Sequence, residues 1–183
     1  MAKSGVDYEQ LQKMQQAFEA IVGEAESGIV YDEALKDVGR RHLARCVQNT
    51  PFGKYKPHAQ TGEIKLGGTL RKGWVVNTHS QAAAAPGTPS SAEISAKVSG
   101  TPVKVNGSMR TMTFFNRVNY ALFVDLGHRQ TPGRFVGAIG KRLKKAWIPA
   151  QNFIRNSENG TASEMPRIIE RHMRKALKKR GIG

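Results

Sequence analysis

The sequence predicts an α+β domain, an antiparallel sheet of about four strands packed on one face by a long N-terminal helix and by C-terminal helices. Three observations carry the prediction. Apolar residues recur at helical spacing near both ends of the chain, β-prone runs fill the middle, and Asn106-Gly107 sits between two of those runs as a hairpin signal. With 183 residues, 39% of them hydrophobic, the chain suits a single domain over 1–183 with a modest core.

Tyr8, Leu11, Met14, Phe18, Ile21, Val22 and Ala25 lie on one helical face, with Asp7 placed to cap the first turn and Gly28 to stop the helix. A second helix is predicted from Asp32 to about Asn49. Its apolar side is Leu35, Val38, Leu43, Cys46 and Val47, Asp32 and Glu33 suit its N-terminus, and Asn49-Thr50-Pro51 ends it. Residues 51–68, rich in Gly, Pro and Lys, read as a long mobile loop. Thr69 to Asn77 reads as a strand around Trp74, Val75 and Val76, and residues 78–91 as a low-complexity mobile arm.

Ala92, Ile94, Ala96 and Val98 alternate with Glu93, Ser95 and Lys97, which predicts a strand with one buried face. Val103 to Val105 and Met109 to Val118 are the arms of the hairpin at Asn106-Gly107, both turn residues being expected at positive φ. Tyr120, Phe123 and Val124 share a short helix ended by Gly127, and Gln130-Thr131-Pro132-Gly133 is a turn. Pro149 opens a short helix containing Phe153 and Ile154. A last helix runs from Ser163 or Glu164 to about Arg180, with Ile168, Ile169, Met173 and Leu177 on its apolar side.

The net charge of +15 and pI near 10.3 point to an anionic partner, whether nucleic acid, membrane headgroups or an acidic protein surface. The charge is polarised. Residues 1–37 carry three lysines against eight acids, whereas residues 129–183 carry fourteen Lys/Arg against three glutamates. Such a chain can stack head-to-tail on copies of itself. The single cysteine, Cys46, excludes an intrachain disulfide and reads as a small buried hydrophobe. No apolar run approaches the roughly 20 residues of a membrane span, and Met1 to Gly5 lack the apolar block of a signal peptide, so a cytosolic protein without membrane contact is expected.

No catalytic, cofactor or metal pattern emerges. The five histidines do not fall into metal-ligand spacing, the glycines of residues 62–73 do not form a phosphate loop, and no Gly-x-Ser-x-Gly elbow occurs. Asp125 near His128 is the one acid–base candidate, with capping or pairing as the plainer role of Asp125. The basic groups around Lys144 and Lys145 and the tail through Arg180 could meet phosphates, but few aromatics accompany them.

Thr61-Gly62-Glu63-Ile64, followed by Thr69-Leu70-Arg71-Lys72-Gly73-Trp74, resembles the Pro-x-Asp-Thr-Gly-x-Leu-Arg-x-Ser-Trp signature of the tailed-phage minor tail-component family. Asn116 to His128 is similar to that family's Asn-x-x-Tyr-Ala-x-x-Val-Glu-x-Gly element, and Pro149 to Arg155 to its Pro-Ala-x-Pro-Phe-hydrophobic-Arg element. Lys65 to Gly68 stand as an insertion in the first element, Asp125 stands where Glu is commoner, and Asn152 replaces a proline.

The resemblance implies a structural virion protein at the head–tail junction of a long-tailed phage or tail-like particle, assembled in the host cytoplasm. It would form a cyclic homo-oligomer, a hexamer in the simplest case. Its partners would be other neck, connector and tail-terminator or tube proteins, with DNA only as channel contents. No cofactor and no catalysis are implied. A tail terminator capping the tail tube and a basic nucleic-acid-binding protein are the alternatives. Trp74, Tyr120, Phe123, Asp125, Gly127 and Phe153 are expected to define the fold. Tyr120, Phe123 and Val124 would pack inward, and Asp125 would orient the turn at Gly127. Arg71, Lys72, Lys144, Lys145, Lys178, Lys179 and Arg180 are expected to contact ring neighbours, with loop 51–68 and arm 78–91 ordering against them.

Overall fold

The computed structural model describes residues 28–53, 67–77, 86–107, 109–137 and 141–179, with isolated positions between 12 and 23. The expected helix from Tyr8 to Ala25, its cap Asp7 and most of segments 51–68 and 78–91 lie outside the described residues.

Helix α1 spans Ile29–Asn49 and begins at Gly28, which takes φ 79°, rather than at Asp32. Val30, Ala34, Val38, Leu43, Cys46 and Val47 form its buried stripe. It ends where foreseen. The Thr50 amide donates back to the Cys46 carbonyl, and Pro51 resists further helix.

The strand expected from Thr69 is a single helical turn, α2 (Thr69–Lys72), followed by β1 (Trp74–Val76). Gly68 at φ 94° sets the turn, and the Gly73 amide donates to the Thr69 carbonyl to close it. The alternating run at 92–98 is likewise not a strand but helix α3 (Ser91–Ser99). Ser90 and Glu93 form a reciprocal capping box, the Glu93 amide donating to Ser90 Oγ and the Ser90 amide to the Glu93 carboxylate. Only Ile94 and Val98, one helical turn apart, are buried, whereas Ala92 and Ala96 face solvent.

Strands β2 (Lys104–Asn106) and β3 (Met109–Thr111) form the hairpin, but its turn sits one residue later than predicted. Asn106 is the last paired residue, opposite Met109, and Gly107 takes the positive φ of 57°. Strand β4 (Phe114–Asn116) pairs antiparallel with β1. Helix α4 (Ala121–Leu126) follows and stops at Gly127 as expected. Gly127 adopts φ 75°, and a Cβ there would lie 2.5 Å from the Ile148 carbonyl.

Strands β5 (His128–Arg129) and β8 (Trp147–Ile148) pair, as do β6 (Phe135–Val136) and β7 (Lys141–Arg142). Main-chain bonds from Gln130 to Ala146 (2.8 Å), Gly133 to Leu143 (2.8 Å) and Leu143 to Arg134 (2.9 Å) join the two ladders into one two-stranded arm, residues 128–148. The fold is α+β, as the sequence predicts, but the described strands make four two-stranded ladders rather than one four-stranded sheet. The strands are two or three residues long. Met112 and Thr113 separate β3 from β4 along the chain.

The two C-terminal helices expected from sequence are one, α5 (Phe153–Lys179), with Pro149 outside it and Pro166 inside. Buried Ser157 and Thr161 look like turn residues in the sequence. Their hydroxyls instead bond the carbonyls one turn back, at Phe153 and Ser157. Pro166 has no amide, so the Ala162 carbonyl loses its main-chain donor.

Helix α5 runs antiparallel to α1. Asn49 Nδ2 donates to Ser157 Oγ (3.0 Å) at one end, and Asp37 meets Arg171 and His172 at the other. Between them lies the core of Leu43, Cys46, Val47, Leu70, Trp74, Val76, Ile94, Val98, Ala121 and Phe153. Each large side chain fully buried there contributes about 1.5–3 kcal/mol.

Candidate functional site

Three sequence elements separated by tens of residues meet in the core. Trp74 is 2% exposed. Its indole N–H donates to Thr50 Oγ1 (2.9 Å), and its ring meets Phe153 edge-on at 6.1 Å. Asn116 Nδ2 donates to the Leu70 carbonyl (2.7 Å), while its Oδ1 accepts from the Val118 amide (3.1 Å). A Cβ on Gly73 would lie 2.5 Å from both Asn116 and Val118, so only glycine admits this clasp.

Asp125 closes the arrangement. It is 5% exposed, and its Oδ1 accepts from the Ile154 amide (3.0 Å) in the first turn of α5, while its carbonyl accepts from the Gln151 and Asn152 amides. A side-chain cap of this kind contributes about 1 kcal/mol. Asp125 therefore ties α4 to α5 across the base of the arm.

That geometry corrects the expected inward face of α4. Ala121, Val124 and Asp125 turn inward, while Tyr120 and Phe123 are 45% and 58% exposed. Leu122 and Leu126 are exposed on the same helix. With six residues, α4 has room for one inward stripe, and the capping carboxylate occupies a place on it.

The arm that α4 leads into buries no residue between Arg129 and Trp147 among those described. Its register sets each exposed aromatic ring opposite an arginine, Arg129 with Trp147 and Phe135 with Arg142. Residues 128–148 hold six Lys/Arg and no acid. Lys144 and Lys145 are exposed on the arm, and Lys178 and Lys179 at the end of α5, whereas Arg180 lies outside the described residues.

Arg71 and Lys72 lie on the helical turn α2 rather than on the expected strand. Arg71 Nε donates to the Thr50 carbonyl (2.8 Å) and its guanidinium covers the Phe52 ring at 5.3 Å, so this side chain is committed within the fold. Lys72 faces Glu93 at 3.7 Å. Both follow from α2 being a helical turn, which sends neither side chain across a sheet.

A charged seam runs between α1 and α5. Asp37 receives Arg171 and His172 from α5, with Arg40 and Arg41 beside it, and Glu164 accepts from Arg41 and Arg45. Burial opposes ionisation of Asp37. The His172 hydrogen bond and then the neighbouring arginines outweigh it and hold its carboxyl below the usual value of 3.8. Beside the seam lies an open cleft of about 910 Å³, lined by Arg41, Arg167, Arg171, Arg174, Lys175 and Lys178 against Glu164 and Glu170, with Ile168 and Leu177.

Two arrangements could suggest chemistry. Asp125 and His128 use different partners. His128 Nδ1 lies 3.2 Å from the Phe123 carbonyl and its Nε2 3.1 Å from Gln130 Nε2, so no carboxylate–imidazole bond forms between them. His42 and Cys46, four residues apart on α1, do meet, with Sγ 3.5 Å from Nε2. That i, i+4 spacing was legible in the sequence but not singled out. Burial pushes the Cys46 thiol up to about 12, so it stays protonated near neutrality, and burial likewise lowers the His42 pKa and favours its neutral form. No cluster of three or more metal-ligating side chains occurs among the described residues, and none of their helices is long and apolar enough to cross a membrane.

No known protein family, curated protein or solved structure matches this chain.

Proposed function

We propose that this chain is a structural virion protein of the head–tail junction, a neck or tail-completion ring subunit of a long-tailed phage or phage-tail-like particle, with no substrate turnover. One observation carries the reading. Leu70, Trp74, Ala121, Asp125 and Phe153 of the family-like elements are spent on holding one core together, and what projects from it is an apolar helix face and a two-stranded arm with no buried residue among those described. An isolated two-stranded ribbon is marginal in water. Such an arm gains its stability from a neighbour, which is what a ring subunit provides. The partners are sister copies and adjoining neck, connector and terminator or tube proteins, with DNA as channel contents, in the assembled virion.

The test is particle assembly with Lys178→Glu, Lys179→Glu and Arg180→Glu combined. Folding should be spared and joining of heads to tails reduced; full yield of joined particles from a folded variant would overturn the docking role of this end. A second reading, a nucleic-acid-binding protein, is favoured by the Arg–aromatic pairs of the arm, since rings interleaved with cations stack bases. A gel shift with steep salt dependence and sub-micromolar affinity would select it.

A further inference from the structure

Past Pro166, helix α5 changes character. Every exposed residue from Arg167 to Lys179 is charged, six Lys/Arg against Glu170 alone. The large apolar residues of this half, Ile168, Ile169, Met173 and Leu177, are buried or half-buried. At 3.6 residues per turn, Arg167, Arg171, Arg174 and Lys178 fall within about 60° of one another around the helix. They form a straight cationic stripe, about 16 Å long at 1.5 Å per residue.

The acids nearby do not neutralise it. Arg171 is held by Asp37, and Glu164 is taken by Arg41 and Arg45. Glu170 meets Arg174 at 2.8 Å in a pair whose side chains are 59% and 73% exposed. A pair this open contributes about 0–1 kcal/mol, so a stronger anion can displace the glutamate. Arg167, Lys175 and Lys178 have no acidic partner among the described residues. All of these cations line the cleft of about 910 Å³, and a concave wall mostly of one sign concentrates the potential in front of it.

We infer that this stripe binds the phosphate backbone of a nucleic-acid duplex without regard to sequence. The surface chooses among anions by what it lacks. An acidic partner helix seats by apolar anchors at helical spacing, and no apolar side chain between Arg167 and Lys179 is exposed to receive them. A single strand needs aromatic rings on which to stack, and α5 has none after Phe153. Phosphates need only cations, and three of the four residues on the stripe are arginines, whose planar fork suits phosphate oxygens. A duplex carries one phosphate per 3.4 Å of each strand, so a stripe of about 16 Å runs beside about four of them.

The inference goes beyond the ring reading, in which DNA is only channel contents, and does not depend on it. It is also separate from the arm. Asp125 at the base of the arm caps the first turn of α5, and the stripe begins about 21 Å further along the helix.

The experiment measures fluorescence anisotropy of a labelled DNA duplex of mixed sequence with the full chain, over a range of salt. One variant combines Arg167→Gln, Arg174→Gln and Lys178→Gln. A second removes the same charge from the arm by Lys141→Gln, Lys144→Gln and Lys145→Gln. All six side chains are exposed, and circular dichroism checks that each variant is folded. The first variant should weaken binding roughly tenfold or more at moderate salt. It should also flatten the plot of log affinity against log salt by about 0.9 for each cation removed. The arm variant should change both less, and a duplex of unrelated sequence should bind the wild type equally well. If the triple variant does not fold, Lys175→Gln with Lys178→Gln carries the same comparison.

A wild type that does not bind the duplex, or an arm variant that loses as much as the stripe variant, overturns the inference. So does polyglutamate that displaces the duplex at equal charge, which would point to an acidic protein instead. Should duplex binding fail while head–tail joining still requires the chain, the stripe falls and the ring reading stands. Should the stripe bind while particles lacking the chain are complete, the ring reading falls alone.

Discussion

The body and the arm of this molecule obey different rules. In the body, Trp74, Phe153 and Leu43 lie at 2% exposure or less, and nearly every polar group that is buried has a named partner, Thr50 accepting from Trp74 and Asp125 from Ile154. In the arm, residues 129–147 reach the same kind of backbone pairing with no fully buried residue among those described. Hydrogen bonds alone add little net stability in water, because solvent competes for the same groups. The body is therefore held by packing, and the arm keeps its shape on its own ladder.

Substitutions can break that contrast in graded steps. Trp74→Ala should have the largest effect, about 3–5 kcal/mol from the lost ring and the cavity beside Phe153. A small domain has about 5–15 kcal/mol in total, so denaturant melts should find this variant at or beyond the edge of folding. An unchanged midpoint would mean that the core is centred elsewhere.

Asp37→Asn comes next, with about 2 kcal/mol lost at neutral pH as the Arg171 and His172 bonds weaken. The folded carboxyl titrates below its ordinary value of 3.8. Its contribution is thus fully present above that value and disappears as pH falls through the lowered folded pKa. Urea midpoints measured from pH 7 down to pH 3 should converge for wild type and variant; parallel curves would remove Asp37 from the acid response.

Lys144→Glu with Lys145→Glu should do least, within about 0.5 kcal/mol, because both side chains are exposed on a ribbon without a core. A loss as large as that of Asp37→Asn would show that the arm is part of the folded body.

The same contrast explains what could be read from the sequence. The α1 stripe, the stop at Gly127 and the class of fold follow from periodicity and turn chemistry, which are local. Helix α3 reads as a strand because Ala92, Ile94, Ala96 and Val98 fit a two-residue repeat, yet burial selects only Ile94 and Val98. The Ser90–Glu93 pair already marked a helix start. The sequence divides helix α5 in two, with Ser157, Gly160 and Thr161 falling between the two predicted helices, and only the facing Asn49 and His42 of α1 make Ser157 and Thr161 suitable interior residues. The capping role of Asp125 was legible in kind. Its partner at Ile154 was not, since the two lie 29 positions apart with the whole arm between them.

Pro166 has a mechanical consequence for α5. With no amide there, the rungs on its two sides are not continuous, and the half that follows is fastened to α1 mainly by Ile168 and the ionic clasp at Asp37. That half is expected to open as a separate unit. It can unzip from its tip back to the proline while Phe153, Ser157 and Thr161 stay seated, so deuterium should enter the amides after Pro166 well before those ahead of it.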